Sequence, residues 1–330
     1  MGEPAGIGGE IALKAWRRRS EGLAPFFVID DPERLTRLGE RLGLAVPLRE
    51  IATPEAATAT FDFALPVLRE TVPAPSEPGR PDPANAKAVI AAIDRAVSLV
   101  LASRAGAIVT NPISKKILYD AGFRHPGHTE YLAFLAGRGI QPVMMLVGGG
   151  LRVVPLTIHL ALREAIERLS SDLIVVQGRI VAAALSEDFG IARPRLAVAG
   201  LNPHAGEEGA LGREEIEIIA PAVAALRRAG IEASGPLPAD TLFHPGARAL
   251  YDAVLCMYHD QALIPVKTLD FERGVNVTLG LPFVRTSPDH GTALDIAGTG
   301  TASEASLFAA LALAGELARR RAQRDAKVSA

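Results

Sequence analysis

The chain has 330 residues, 48% hydrophobic and 22% charged, and its 35 Lys and Arg against 37 Asp and Glu leave a formal net charge of −2. This is the composition of a folded protein long enough for one large α/β domain or two smaller ones. The balanced charge argues against nucleic acid, whose partners carry a basic face. A single cysteine, Cys256, excludes an intrachain disulfide; no apolar run approaches the ~18 residues of a membrane span; and no basic-then-apolar leader opens the chain, so a cytoplasmic protein with no membrane partner is expected.

In chain order, Gly2-Glu3-Pro4-Ala5-Gly6-Ile7-Gly8-Gly9 is a glycine-rich turn, and a helix follows from about Glu10 to Arg19. Such turns normally follow a strand, so a strand ahead of Gly2 is expected. The spacing is neither GxGxxG nor a Walker-type loop, so it specifies no nucleotide. It reads either as a tight structural turn or as a close approach of backbone to ligand. Pro25 to Asp30 is a strand and Pro32 to Leu42 a helix. Proline-rich Leu65 to Pro83 reads as an irregular connection. Val89, Ile90, Ile93, Val97 and Val100 keep helical spacing in a long helix from about Asn85 to Ser103.

Ala107 to Thr110 is a strand that runs into Asn111-Pro112-Ile113-Ser114-Lys115-Lys116. Ser114 could cap the next helix, and Lys115 is either a ligand group or an ordinary first-turn lysine. In Phe123-Arg124-His125-Pro126-Gly127-His128-Thr129-Glu130, Thr129 is placed to cap a helix. Amides at such a start attract anions, and His128 beside them suits phosphate or carboxylate. Strands follow at Pro142 to Val147, at Leu151 to Thr157 (leading to His159) and at Arg195 to Ala199 (leading to Gly200-Leu201-Asn202-Pro203-His204). One helix spans about Leu162 to Leu185, and another runs from Glu214 to about Ala229. Pro236 to Thr241 is a turn carrying Asp240. A last helix, about Ala302 to Arg319, precedes a polar tail.

Tyr251 to Gly298 holds the densest chemistry. Its apolar opening, Asp252 to Met257, reads as a strand buried on both faces, with Cys256 as a small hydrophobe rather than a nucleophile. The strand ends in Tyr258-His259-Asp260-Gln261. Lys267, Asn276 and Arg285 follow, then Asp289-His290-Gly291-Thr292 and Asp295. His159, His204 and His259 each lie a few residues past a strand, and in a parallel sheet such positions share the ligand-binding edge. Three neutral imidazoles there would suit a divalent metal, although their wide separation matches no local metal motif. Asp240 and Asp260 are candidates to orient them.

The segments GEPAGIG, NPISKKILYDAGFRHPGHTEYLA, GLNPHAGE, PADTLF, MYHDQ, Lys267-x8-Asn276 and GLPFVRTSPDHGTALDIAG keep their order over nearly the whole chain. As a set they resemble the PdxA family, the 4-hydroxythreonine-4-phosphate dehydrogenases of pyridoxal phosphate biosynthesis. The resemblance implies two α/β/α domains with a cleft between them, like the isocitrate and isopropylmalate dehydrogenases. Residues 1–125 with about 275–330 would carry the NAD loop. About 126–274 would carry the metal histidines and the interface of a homodimer with a shared active site.

It also implies one divalent metal per subunit (Zn, Mg or Co) on His159, His204 and His259, one of them reaching in from the partner subunit. Substrate would be bound by His128, Thr129, Lys267, Asn276 and Arg285. NAD, with NADP as the alternative, would lie at His290, Gly291, Thr292, Ala293 and Asp295, a segment that resembles the adenosine loop of the isopropylmalate enzymes. Family members usually have a short strand before GEPAGIG, where this chain begins. The general base is left between Lys267, Asp240 and a metal-bound water. The implied reaction is metal-dependent oxidation of a small phosphorylated amino acid. D-threonate or D-erythronate 4-phosphate, a cyclic dihydrodiol, and a non-redox metal-dependent phosphate-ester protein are the alternatives.

Overall fold

The glycine turn that opens the chain is buried from Gly2 to Gly9 in the computed structural model, which describes residues 1–328. A side-chain carbon on Gly2 would fall 2.5 Å from the Pro112 carbonyl oxygen, closer than any methyl group tolerates. The turn is therefore a packing element, and the helix after it, Gly8–Arg17, starts at once. Arg34 holds the turn from the other side. Its guanidinium donates to both oxygens of Asp30, at 2.9 and 2.7 Å, and to the Pro4 carbonyl at 2.9 Å. Both charges are buried, so removing either partner would strand the other in a dry interior.

The chain divides into two compact units, Met1–Pro142 with Leu281–Arg319, and Val143–Gly280 with the residues from Arg320 on. In the first unit, β1 (Val28–Asp30), β2 (Leu48–Ile51) and β3 (Leu65–Arg69) form a parallel sheet in the order β1-β3-β2, and β4 (Ala107–Val109) follows the helix Ala86–Leu101. The stretch expected to be irregular from Leu65 thus opens with the middle strand of that sheet. Leu65, Val67 and Leu68 are almost fully buried, and that burial outweighs the local cost of Pro66.

The second unit holds β5 (Val143–Gly148), β6 (Leu151–Pro155), β7 (Arg195–Ala199), β8 (Glu232–Leu237), β9 (Ala253–Cys256) and β10 (Val275–Leu279). Its strands lie in the order β10-β5-β6-β9-β7-β8. β5 pairs antiparallel with β10 and β6, whereas β6, β9, β7 and β8 run parallel. Leu146, Val153, Ala197, Val254, Cys256 and Val266 form one core. Back in the first unit, β11 (Val284–Pro288) pairs parallel with β4.

Several boundaries differ from expectation. Residues 126–142 belong to the first unit, because Tyr131, Leu132 and Ala133 of the helix His128–Ala136 join the core of Val89, Ile93 and Val97. The second crossing falls at Gly280 rather than near 274, because β10 is registered on β5. The expected helix from Leu162 to Leu185 is two, Leu162–Arg168 and Ser171–Glu187, broken where Ser170 caps the second by accepting from the Leu173 N–H. β8 enters the segment read as a turn from Pro236, and the last helix, Ala305–Val328, continues through the tail read as polar. Among the described residues no single helix is long and apolar enough to cross a membrane.

Leu132 has no exposed surface. Leu132→Ala should therefore lower the unfolding free energy by about 2–5 kcal/mol in a urea titration. A loss below about 1 kcal/mol would mean that the helix His128–Ala136 is not docked in the first unit's core.

Candidate active site

Strands β6, β9 and β7 are neighbours and parallel, so their carboxyl ends lie along one edge. His159 follows β6, His259 follows β9 and His204 follows β7. Cross-links hold these ends in register. Leu156 N–H donates to the Cys256 carbonyl at 2.8 Å, and Thr157 Oγ1 to the Met257 carbonyl at 2.8 Å. The His159 and His259 rings consequently sit 5.8 Å apart, centroid to centroid.

His259 opens the helix His259–Leu269, an element that the run of four polar residues concealed. Its Nδ1 is 2.7 Å from Asp260 Oδ1. With Nδ1–H donating to that carboxylate, Nε2 keeps its lone pair available as an acceptor. Lys267 lies two turns along the same helix, its Nζ 5.6 Å from the centre of the Phe271 ring. His259, Asp260, Leu263, Ile264, Lys267, Thr268 and Phe271 line a concavity of about 460 Å³. Asn276, on β10, keeps its Oδ1 buried without a hydrogen-bond partner among the described residues. Asp240 stands exposed in the turn Ala239–Thr241. Cys256 is buried, and burial pushes its thiol far above its ordinary pKa, so it is inert as a nucleophile.

His204 differs from the other two histidines. It begins a run of five residues, His204 to Glu208, all with positive φ between 43° and 79°. Gly206 is the one glycine among them. A left-handed run costs roughly 1–2 kcal/mol for each non-glycine residue, so something must impose it. The buried Glu215 carboxylate lies beneath the loop. It accepts from the backbone N–H groups of Leu201 and Asn202 at 2.7 Å each and from Asn202 Nδ2 at 2.9 Å. Gln261 ties the same loop to the histidine helix, since its Nε2 donates to the Gly200 carbonyl at 2.7 Å and its Oε1 accepts from Met257 N–H at 2.7 Å. The His204 side chain is 69% exposed. Among the described residues no three His, Cys, Asp or Glu side chains lie close enough to share a metal ion. One chain therefore pairs His159 with His259 and does not gather all three imidazoles, contrary to a simple convergence at the sheet edge.

The first unit carries a buried cation next to a buried imidazole. Arg285, on β11, is buried and donates to Thr110 Oγ1 at 2.7 Å. Burial lowers its pKa to about 10, partly opposed by the Glu130 carboxylate, so it stays charged at neutral pH. His128 begins its helix, with Nε2 enclosed and without a partner among the described residues. Desolvation, then the charges of Arg285, the Met1 amine and Lys115, hold the imidazole well below its usual pKa, and it is neutral at pH 7. Gly127 occupies the N-cap position and offers no capping side chain, so Thr129 is a first-turn residue and not the cap. The Lys115 ammonium lies against Gly127, 3.4 Å from where a Cβ would stand, so this lysine faces the same helix start.

The segment from His290 to Asp295 packs on the glycine turn, through Ile7 N–H to the Thr292 carbonyl at 3.1 Å. His290 Nδ1 is 3.1 Å from the Gly291 carbonyl, its Nε2 is buried without a partner among the described residues, and Ala293 is left-handed at φ 42°. Gly291 and Asp295 are exposed. Beyond them, the buried Glu10 accepts from the N–H groups of Gly298 and Ala302 and pairs with Lys14 at 2.9 Å, clamping the loop that follows.

The family model for the pyridoxal phosphate biosynthetic protein PdxA matches residues 23–314. The chain belongs to the PdxA family. A 4-hydroxythreonine-4-phosphate dehydrogenase from Bradyrhizobium diazoefficiens is 57% identical, covering 96% of this chain and 95% of that protein. One from Caulobacter vibrioides is 55% identical, covering 97% and 96%. The crystal structure of the Klebsiella pneumoniae 4-hydroxythreonine-4-phosphate dehydrogenase superposes with a TM-score of 0.88 at 40% identity, covering 96% of this chain and 98% of that one. A terephthalate 1,2-cis-dihydrodiol dehydrogenase from Burkholderia xenovorans is more distant, at 30% identity and a TM-score of 0.65 over 96% of each chain.

Two features of this PdxA chain escaped the sequence reading, namely the left-handed turn at His204 and the carboxylate of Glu215 beneath it. Glu214 and Glu215 look like ordinary first-turn acids, and the glycines at 206, 209 and 212 are the one local signal of an unusual backbone.

Because the folded pKa of His128 lies below the unfolded value near 6.5, the unfolded chain takes up the proton first as pH falls. The stability that neutral His128 contributes is complete above about pH 6.5 and declines below it, at no more than about 1.4 kcal/mol per pH unit. Denaturant titrations between pH 7.5 and 5 should show wild type losing more stability than His128→Gln. Parallel profiles would mean that His128 protonates freely in the folded state.

Proposed function

We propose that this chain oxidises the secondary alcohol of 4-phosphohydroxy-L-threonine with NAD in a divalent-metal-dependent reaction. The product, 2-amino-3-oxo-4-phosphooxybutanoate, is a β-keto acid that loses carbon dioxide to give 3-amino-2-oxopropyl phosphate on the route to pyridoxine 5′-phosphate. The observation that carries the reading is the 57% identity, over almost the whole of both chains, to a 4-hydroxythreonine-4-phosphate dehydrogenase.

The side chains fit the groups this reaction needs. His159 and His259, with ring centroids 5.8 Å apart and the latter oriented by Asp260, offer imidazole nitrogens of the kind that zinc and cobalt sites draw on, whereas magnesium would take its ligands mainly from oxygens. His204 follows the adjacent strand, and its separation from the pair within one chain supports a homodimer in which a second copy completes the ligand set. When bound, a divalent ion supplies Lewis acidity toward the hydroxyl being oxidised and NAD accepts the hydride. We assign His290, Gly291, Thr292, Ala293 and Asp295 to NAD rather than NADP.

Lys267, on the histidine helix, and Asp240 are the side chains we assign to removal of the hydroxyl proton. For the anionic ends of the substrate, Arg285 presents a guanidinium that burial has stripped of water, and His128 can donate one hydrogen bond while remaining neutral. Thr129, Asn276 and Lys267 supply further polar contacts. Charge-assisted hydrogen bonds of this kind are the strong ones.

Purified protein with NAD, a divalent metal and 4-phosphohydroxy-L-threonine should form NADH, read at its absorbance band, and EDTA should abolish the signal. Arg285→Met should raise KM for the phosphorylated substrate at least tenfold and leave KM for NAD unchanged. A strong preference for D-threonate or D-erythronate 4-phosphate, or for a cyclic cis-dihydrodiol, would overturn the substrate. Absence of NADH with all of them would favour a non-redox phosphate-ester protein.

A further inference from the structure

We propose that Glu215 is a positioning residue for His204. Its buried carboxylate imposes the left-handed turn that presents this imidazole, so the metal affinity of the chain depends on an acid that touches neither metal nor substrate. The inference rests on the reading of His204 as a metal ligand and deepens it.

Three observations support it. First, Glu215 gathers the loop from within. Its Oε1 accepts from both Leu201 N–H and Asn202 N–H at 2.7 Å, and Oε2 from Asn202 Nδ2 at 2.9 Å, so its charge is spent on the residues that lead into the turn. Second, the turn is fitted around that carboxylate. Gly206 has φ 79°, and a Cβ there would stand 2.5 Å from Glu215 Oε2. Gly200, where the loop begins, is similarly crowded, its Cβ position 3.2 Å from Glu215 Oε1. Third, the loop is tied to the rest of the histidine edge. Gln261, in the helix that His259 opens, donates to the Gly200 carbonyl, and Gly200 N–H donates to the Leu237 carbonyl at 2.7 Å. Any shift of the Glu215 carboxylate is thus passed to the loop carrying His204, while the base of that loop stays pinned to β8 and to the His259 helix. The strained φ values of His204, Ala205, Glu207 and Glu208 mean that the turn relaxes when its anchor is lost.

The test uses the intact protein, with Co²⁺ as the probe, in four forms: wild type, His204→Ala, Glu215→Gln and Gly206→Ala. Glu215→Gln keeps size and one acceptor oxygen but turns an N–H₂ toward that of Asn202. Gly206→Ala pushes on the same carboxylate from the loop side and also strains the turn at φ 79°, so it disturbs turn and anchor together and gives a second reading if Glu215→Gln fails to fold. Co²⁺ affinity is measured by calorimetry, alongside the thermal midpoint, KM for NAD and kcat as a function of Co²⁺. Glu215→Gln and Gly206→Ala should each weaken Co²⁺ binding at least tenfold, within the usual range for groups that orient a ligand, with KM for NAD unchanged. High Co²⁺ should restore kcat in these two variants and not in His204→Ala. If His204→Ala loses Co²⁺ affinity while both other variants keep it, the positioning role is wrong and the ligand reading stands. If His204→Ala itself binds Co²⁺ like wild type, the ligand reading fails. Equal losses of Co²⁺ and NAD binding in the Glu215 and Gly206 variants would mark a general structural collapse and also overturn the proposal.

Discussion

Three neighbouring parallel strands bring three histidines to one edge of the second unit's sheet. Val154 and Pro155 of β6 stand level with Leu255 and Cys256 of β9, and Val198 of β7 is level with Leu255. All three strands therefore end at one height, and each delivers a histidine within the next few residues. The strands themselves are almost wholly buried, so their register cannot slip without exposing apolar surface on both faces of the sheet. The imidazoles inherit that rigidity only at the strand ends. Beyond them the backbone is held by side chains, by Thr157 and Gln261 between β6, β9 and β7, and by Glu215 under the loop after β7.

The first unit solves a different problem. It keeps a cation charged inside a dry core. Arg285 lies on a buried strand, which lowers its pKa to about 10 without discharging it at neutral pH. Placing His128 beside it would add a second positive charge if the imidazole were protonated. Desolvation and the neighbouring cations hold it neutral instead, so it can serve as a hydrogen-bond donor with no further electrostatic cost. Lys115, with its ammonium against Gly127, is exposed, where water rather than a buried carboxylate compensates its charge.

Much of this was legible in the sequence, and the misses have physical causes. β7 and β9 are short apolar runs bounded by polar residues, so both strands and the histidines after them could be placed from composition alone. The helix His259–Leu269 was not read because it opens with polar residues and carries Pro265, while its burial comes from Ala262, Leu263 and Val266 packing on strands remote in sequence. β3 was lost among prolines for the same reason, since the packing of Val67 and Leu68 is invisible locally. The boundary near 125 failed because a motif was assigned by its chemistry, whereas the helix it begins is placed by Tyr131 and Leu132 in an apolar core. Three equivalent strand ends made the three histidines legible as a set, but the left-handed loop that carries His204 has no local signal beyond its glycines.

That turn shows how a site can hold a strained backbone without weakening the fold. Four non-glycine residues in the left-handed region cost together about 4–8 kcal/mol relative to relaxed conformations. The three hydrogen bonds to the Glu215 carboxylate involve a charged acceptor, a class worth about 1.5–3 kcal/mol each, and between them offset a cost of that size. The two terms nearly cancel, so the loop is stable only while the carboxylate keeps its donors. Glycine is required at 206 both for its positive φ and because the carboxylate occupies the space a methyl group would need. Strain and anchor are thus one device. The acid that makes the turn affordable also sets the direction in which His204 leaves the sheet edge, and a flexible loop of ordinary conformation at the end of β7 would leave that direction undefined.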